Sequence, residues 1–166
     1  MRTAVTATPN YQLAGLPRAS FLHRLGAAIY DALLAFAVYA LAGIIGLAVI
    51  AMLQQLGWLS LASNTELALA LQQSPVVHAI YQLWLLICVV GFYSYFWSRT
   101  GQTLGMKAWQ LRVQHTNGQN ISPVTAVARC FWSLLGLGNL LLLLSQQQLA
   151  LQDRLSDSEV VQLPKR

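Results

Sequence analysis

The sequence predicts an all-α membrane protein with two transmembrane helices, a third short transmembrane or re-entrant segment, and a small cytoplasmic loop or hairpin region. Three observations carry this reading. The 166-residue chain is 56% hydrophobic and 9% charged, whereas a soluble domain carries about 25% charged residues. Its apolar residues are gathered into long runs rather than spread at amphipathic spacing. Its ten Lys and Arg are dispersed and mostly flank those runs, which fits orientation in a bilayer better than a nucleic-acid surface. The length suits one domain.

A span needs about 20 apolar residues to cross roughly 30 Å of hydrocarbon. The first candidate runs over about 25–53, and its stretch from Ala32 to Leu53 holds 22 residues without a charge, too long for a signal-peptide core. It therefore reads as a retained anchor following a polar tail, 1–20. The second span covers about 76–97, opens after the helix-breaking Ser74-Pro75 and ends in "FYSYFW", an interfacial aromatic belt. The third, about 124–144, holds Arg129 and is interrupted by "GLGN" at 136–139. It reads either as a tilted short span or as a re-entrant hairpin bending at Gly136-Gly138.

Residues 1–24 carry Arg2, Arg18 and Arg24 and no acids, and 98–129 carries Arg99, Lys107, Arg112 and Arg129, again without acids. Residues 54–75 have no Lys or Arg and one acid, Glu66. The positive-inside rule then places the N-terminus and 98–129 in the cytoplasm and 54–75 outside. Within 98–123, "LRVQHTNGQNIS" centres on Asn117-Gly118, a type I′ hairpin signal. The C-terminal "SEVVQL" reads as a strand able to pair with "LRV", which would keep the tail in the cytoplasm.

The awkward residue is Asp31, inside the first span. Arg24 and Asp31 lie seven positions apart, two turns on one helix face and about 10.5 Å apart axially. Arg24 can snorkel to the boundary. An unpaired charge deeper in the bilayer costs at least about 2.5–3.5 kcal/mol. Asp31 must therefore be protonated by desolvation, paired with a cation, or exposed to a wet cavity, and Arg24 is the nearest partner in the chain. It reads either as half of a structural clamp or as a carrier of a proton or cation.

Arg24 and Asp31 in "HRLGAAIYD", with Asp153 in "LQDRLSDSEVV", resemble the arginine and two aspartates that name the RDD family of small bacterial membrane proteins. The tail resembles that family's "xDRLxGTxVV" pattern, with Ser156-Asp157 standing where it has Gly-Thr. The loop "GQTLGMKAWQLRV", carrying Gly101, Thr103, Gly105, Lys107 and Arg112, resembles the signature after the second span. With "NGQNISPVTAVAR" after it, the four motifs occur in family order from Ala19 to Val161, which implies an RDD-like membrane domain over 21–161 and a short tail over 162–166. Membership implies a bacterial inner-membrane location and a function related to transport, cation/proton antiport being attributed to some members; Asp31, and with it Asp153, would handle the ion. The alternative is a membrane adaptor or assembly factor in which Arg24, Asp31 and Asp153 are structural.

Other features have plainer readings. "GQTLGMK" lacks the spacing of a phosphate-binding P-loop and reads instead as an interfacial amphipathic stretch, with Met106, Trp109 and Leu111 toward lipid and Lys107 and Arg112 toward head groups. Ala42 and Gly46, joined by Gly43, form a small-residue face suited to close packing against the second span or against another copy. Cys88 and Cys130 show no metal spacing and read as buried thiols. His23, His78 and His115 lie in different regions. Neither a nucleophile–base set nor a metal or cofactor fingerprint appears, so the sequence predicts no enzyme activity and no cofactor. The expected partners are the lipid bilayer and a second copy or another membrane protein; nucleic acid is not expected.

Overall fold

The structure is a computed structural model that describes residues 13–61, 67–133 and 150–164. In chain order its elements are α1 (Phe21–Gln55), α2 (Leu67–Gln73), α3 (Pro75–Arg99), α4 (Leu104–Ala108), β1 (Leu111–Gln114), α5 (Pro123–Trp132), α6 (Leu151–Leu155) and β2 (Glu159–Gln162). Two helices, α1 with 35 residues and α3 with 25, are long and apolar enough to cross a membrane. At 1.5 Å per residue both exceed the roughly 30 Å hydrocarbon thickness. Leu33, Phe36, Leu41 and Ile44 of α1 and Ile80 and Ile87 of α3 are exposed, as lipid-facing side chains would be. Pro75 opens α3 at a position where a missing N–H costs nothing.

The chain divides into two compact units, Ala32–Phe92 and the remainder. Within Ala32–Phe92 the small-residue face of α1 packs against α3. The Trp84 indole donates to Ala42 O at 2.9 Å and the Tyr81 hydroxyl to Gly43 O at 3.3 Å. A methyl group on Gly46 would come within 2.8 Å of the Tyr81 ring. Of the two packings the small-residue face allowed, this is the internal one.

The second unit joins the residues up to Asp31 to those from Tyr93 onward. β1 and β2 pair antiparallel, with Leu111 opposite Gln162 and Gln114 opposite Glu159, so "LRV" does meet "EVV". The residues before α1 add to the far edge of β2: Ala19 N donates to Val160 O at 2.9 Å, and Gln162 N to Pro17 O at 2.8 Å. Alternating inward residues Leu111, Val113 and Val161 join Ala19, Ile121 and Ala126 in the buried interior. Met106 and Leu111 are buried as well, which corrects their expected lipid-facing orientation: the strand register turns Leu111 inward, and α4 is a single turn too short to offer a separate apolar face. Lys107 stays exposed.

The turn at Asn117-Gly118 forms, but not as type I′. Gly118 N donates to His115 O and His115 N to Gln119 O, both at 2.9 Å, and only Gly118 has a positive φ, 81°. That is the three-residue loop closed by a left-handed glycine. No strand follows among the described residues: β2 holds one edge of β1, and the Gly101 carbonyl and the Gln102 side chain bond to the other. Of the expected third segment, 124–144, α5 accounts for the start as a 10-residue helix. The bend at Gly136-Gly138, Asn139, Gln146-Gln147-Gln148 and also Glu66 lie outside the described residues.

Candidate functional site: a buried Arg/Asp lock

The site is assembled around Asp153 of α6 by the start of α1 and by α5. This residue is the third position of α6 and turns back on its own helix start, accepting from Ala150 N at 3.1 Å, as an acid does in a capping arrangement. The same Oδ2 accepts from Arg24 Nη1 of α1 at 2.6 Å, and Oδ1 accepts from Arg129 Nη2 of α5 at 2.8 Å. The side chains of Arg24, Arg129 and Asp153 are 4%, 3% and 0% exposed. Such a group is stable only when its charges and hydrogen bonds are satisfied together. Arg24 also donates through Nε to Ala19 O at 3.2 Å. Arg129 donates to Ser158 Oγ and lies 5.5 Å from the Trp97 ring of α3, within cation–π range.

Burial alone would push the Asp153 carboxyl up. The Arg129 guanidinium, then that of Arg24, and the hydrogen bonds from Arg24 and Ala150 outweigh it and hold Asp153 below the ordinary carboxylate value. It is ionised at any physiological pH.

Asp31 stands in a different arrangement. Its Oδ2 accepts from the Thr103 hydroxyl at 2.5 Å and its Oδ1 from Gly105 N at 2.9 Å. Thr103 is the N-cap of α4, and the same hydroxyl accepts from Met106 N at 3.2 Å. One hydroxyl therefore donates to Asp31 and accepts from the helix it caps. The expected pairing of Asp31 with Arg24 is not formed; Arg24 turns to Asp153 and to the carbonyl of Ala19. The physical reason is the axial offset of about 10.5 Å between the two residues, more than these side chains can close while Arg24 holds Asp153.

Gly105 must lack a side chain, since a Cβ would lie 2.5 Å from Ala27 O and 2.7 Å from Asp31 Oδ1. Gly101 adopts φ 70°, and its carbonyl accepts from Val113 N at 2.7 Å, fixing the start of β1. Arg112 donates to Asn120 Oδ1 at 2.6 Å, tying β1 to the segment before α5. Lys107 is exposed and makes no ion pair among the described residues.

Arg129 is the site residue that sequence reasoning missed. Its signal was an arginine in an otherwise apolar run headed by Ser122-Pro123, which here is a capped helix start. The tail departure also moves by one place. Counted through "DRLSDSEVV", the glycine and threonine of the family pattern fall on Asp157 and Ser158. Asp157 has φ 46°, a left-handed conformation that Asp tolerates better than most residues, and Ser158 keeps the hydroxyl that receives Arg129.

These features define a small membrane protein with two apolar helices and a buried arginine–aspartate cluster. The chain belongs to the RDD family, whose model matches residues 18–157. No curated protein and no solved structure matches it significantly.

Proposed function

We propose that the protein is a non-enzymatic, multi-pass inner-membrane protein of adaptor or assembly type, with its N-terminus and the 98–129 region in the cytoplasm and its Arg/Asp cluster serving the fold. The observation that carries this is the saturation of Asp153 by Arg24, Arg129 and Ala150 N: a carboxylate held by two guanidiniums is poorly suited to giving up its partners to a passing ion. The Lys/Arg asymmetry supports the orientation. Hydrogen bonding of 17–19 and of β1 to β2 supports one membrane side for all three segments.

One observation favours a second reading, exchange of a proton or small cation. Both donors to Asp31 are neutral, and among the described residues no cation lies within ion-pair distance of it. Its charge is thus free to be exchanged for a proton. Two helices enclose little pathway alone, so this reading requires self-association. Reconstitution in liposomes separates the two. The adaptor reading expects no pH-driven cation flux from the wild type. Flux that Asp31→Asn abolishes in a protein with an unchanged unfolding transition would establish exchange instead.

A further inference from the structure

Helix α5 is built inside out for a soluble surface. Taken at 100° per residue, Val124, Val127 and Phe131 fall within one narrow arc, and they are 80%, 37% and 58% exposed. The opposite arc holds Ala126 and Arg129, both buried. The charge faces the protein and the apolar side chains face out, so the outer face requires an apolar environment. The level of the helix is fixed by Arg129, whose guanidinium lies 5.5 Å from the ring of Trp97. Trp97 stands two residues before the end of α3, where that candidate span leaves its apolar stretch among Tyr93, Tyr95 and Phe96. Residues of this kind concentrate where hydrocarbon meets head groups. The exposed apolar face of α5 thus stands beside the aromatic end of α3, at the boundary where hydrocarbon meets head groups.

We propose that α5 does not begin a third crossing but lies in the plane of the membrane, with Val124, Val127 and Phe131 buried in the acyl region just beneath the head groups and Arg129 directed into the protein lock. Its partner is the lipid surface. The proposal rests on the membrane location of the chain and is independent of whether the protein exchanges ions.

The test places a spin label singly at Val124, Val127 and Phe131 in the full chain with Cys88→Ser and Cys130→Ser, reconstituted in phosphatidylcholine–phosphatidylglycerol vesicles. Power saturation with oxygen and a nickel chelate then reads depth, with Leu33 and Asn117 as apolar and aqueous references. All three labels should favour oxygen and report one shallow depth. Phe131 reading about 10 Å deeper than Val124, as seven residues of a crossing helix would, overturns the proposal. So does nickel-favoured contact at the three sites, or spin–spin broadening that disappears on dilution with unlabelled protein. The contrast can also be read without removing the cysteines, from benzophenone introduced at Phe131 in the otherwise unaltered chain. Covalent lipid adducts are expected; adducts to a second copy, or no lipid adducts, overturn the inference.

Discussion

Replacing Asp153 by asparagine changes one atom type at the centre of the lock and should be among the most damaging conservative substitutions in the chain. The amide keeps the volume of the carboxylate but presents an NH2 where one guanidinium now donates, so two donors face each other. It also strands two cations whose side chains are 4% and 3% exposed. Breaking one buried pair typically costs about 3–5 kcal/mol, and here two are broken, which places Asp153→Asn at the upper end of that range. Against a typical total stability of about 5–15 kcal/mol, this is a large loss. Unfolding by sodium dodecyl sulfate in mixed micelles, followed by tryptophan fluorescence, would measure it. The control is Arg24→Met with Asp153→Leu and Arg129→Met, which removes all three charges together. Apolar replacement of a whole buried ionic cluster is often neutral or stabilising by about 1–4 kcal/mol, so the triple variant should regain most of the loss. A single variant within about 1 kcal/mol of wild type, or a triple as unstable as the single, would refute the lock. The pH dependence has a defined sign. Since Asp153 is held below its ordinary value in the folded state, its contribution is fully present above the unfolded carboxylate value of about 3.9 and is lost as pH falls below that through the folded one. The gap between wild type and Asp153→Asn should therefore be flat from neutral pH to about 5 and close only in stronger acid.

The loop signature makes its own predictions. Gly105→Ala forces a methyl group to within 2.5 Å of Ala27 O and should destabilise by about 1–3 kcal/mol, measured in the same detergent titration. Thr103→Val strips Asp31 of its hydroxyl donor and Met106 N of its acceptor, for a loss of about 1–3 kcal/mol, while Thr103→Ser should stay close to wild type. Cysteines placed singly at Ala14, Asn117 and Pro164 in the cysteine-free chain should all label from the same membrane face, and Trp58→Cys from the other; Pro164 labelling from the Trp58 face would refute the shared side.

Much of this fold was legible because membrane spans announce themselves by length. α1 and α3 extend the expected 25–53 and 76–97 by only a few residues at each end, and Ser74-Pro75 marks the entry to α3. Strand pairing was legible from "LRV" and "EVV". The partners within the site were not. Helix geometry shows that Arg24 and Asp31 share a face, yet it says nothing of what a third segment brings up against that face. Asp153 and Arg129 come from elements five and ten residues long, whose placement is decided by contacts distant in sequence. Met106 and Leu111 looked lipid-facing for the same reason. An apolar residue beside a membrane segment can turn to lipid or to a small protein core, and only the register of β1 against β2 decides between them.

Arg24, Asp31 and Asp153 therefore do two jobs rather than one. Asp153 gathers Arg24 and Arg129 and so ties the start of α1, α5 and α6 together. Asp31 holds the cap of α4 and so ties the connector after α3 to α1. A reason for using charges here follows from the solvent. Between helices in lipid the hydrophobic effect supplies no attraction, because acyl chains are as apolar as leucine; packing and polar contacts must supply it. The packing is visible where Gly46 admits the Tyr81 ring. At the ends of the spans the neighbours are short elements with little area to bury, and directional bonds to a few carboxylates fix them where apolar area cannot. The same economy accounts for the glycines of the loop: Gly105 has no side chain because Asp31 can receive its N–H only if backbone meets carboxylate directly. A charged residue inside an apolar helix is costly in isolation, but once it holds a polar connector in place, its depth in the span is set by where that connector must dock.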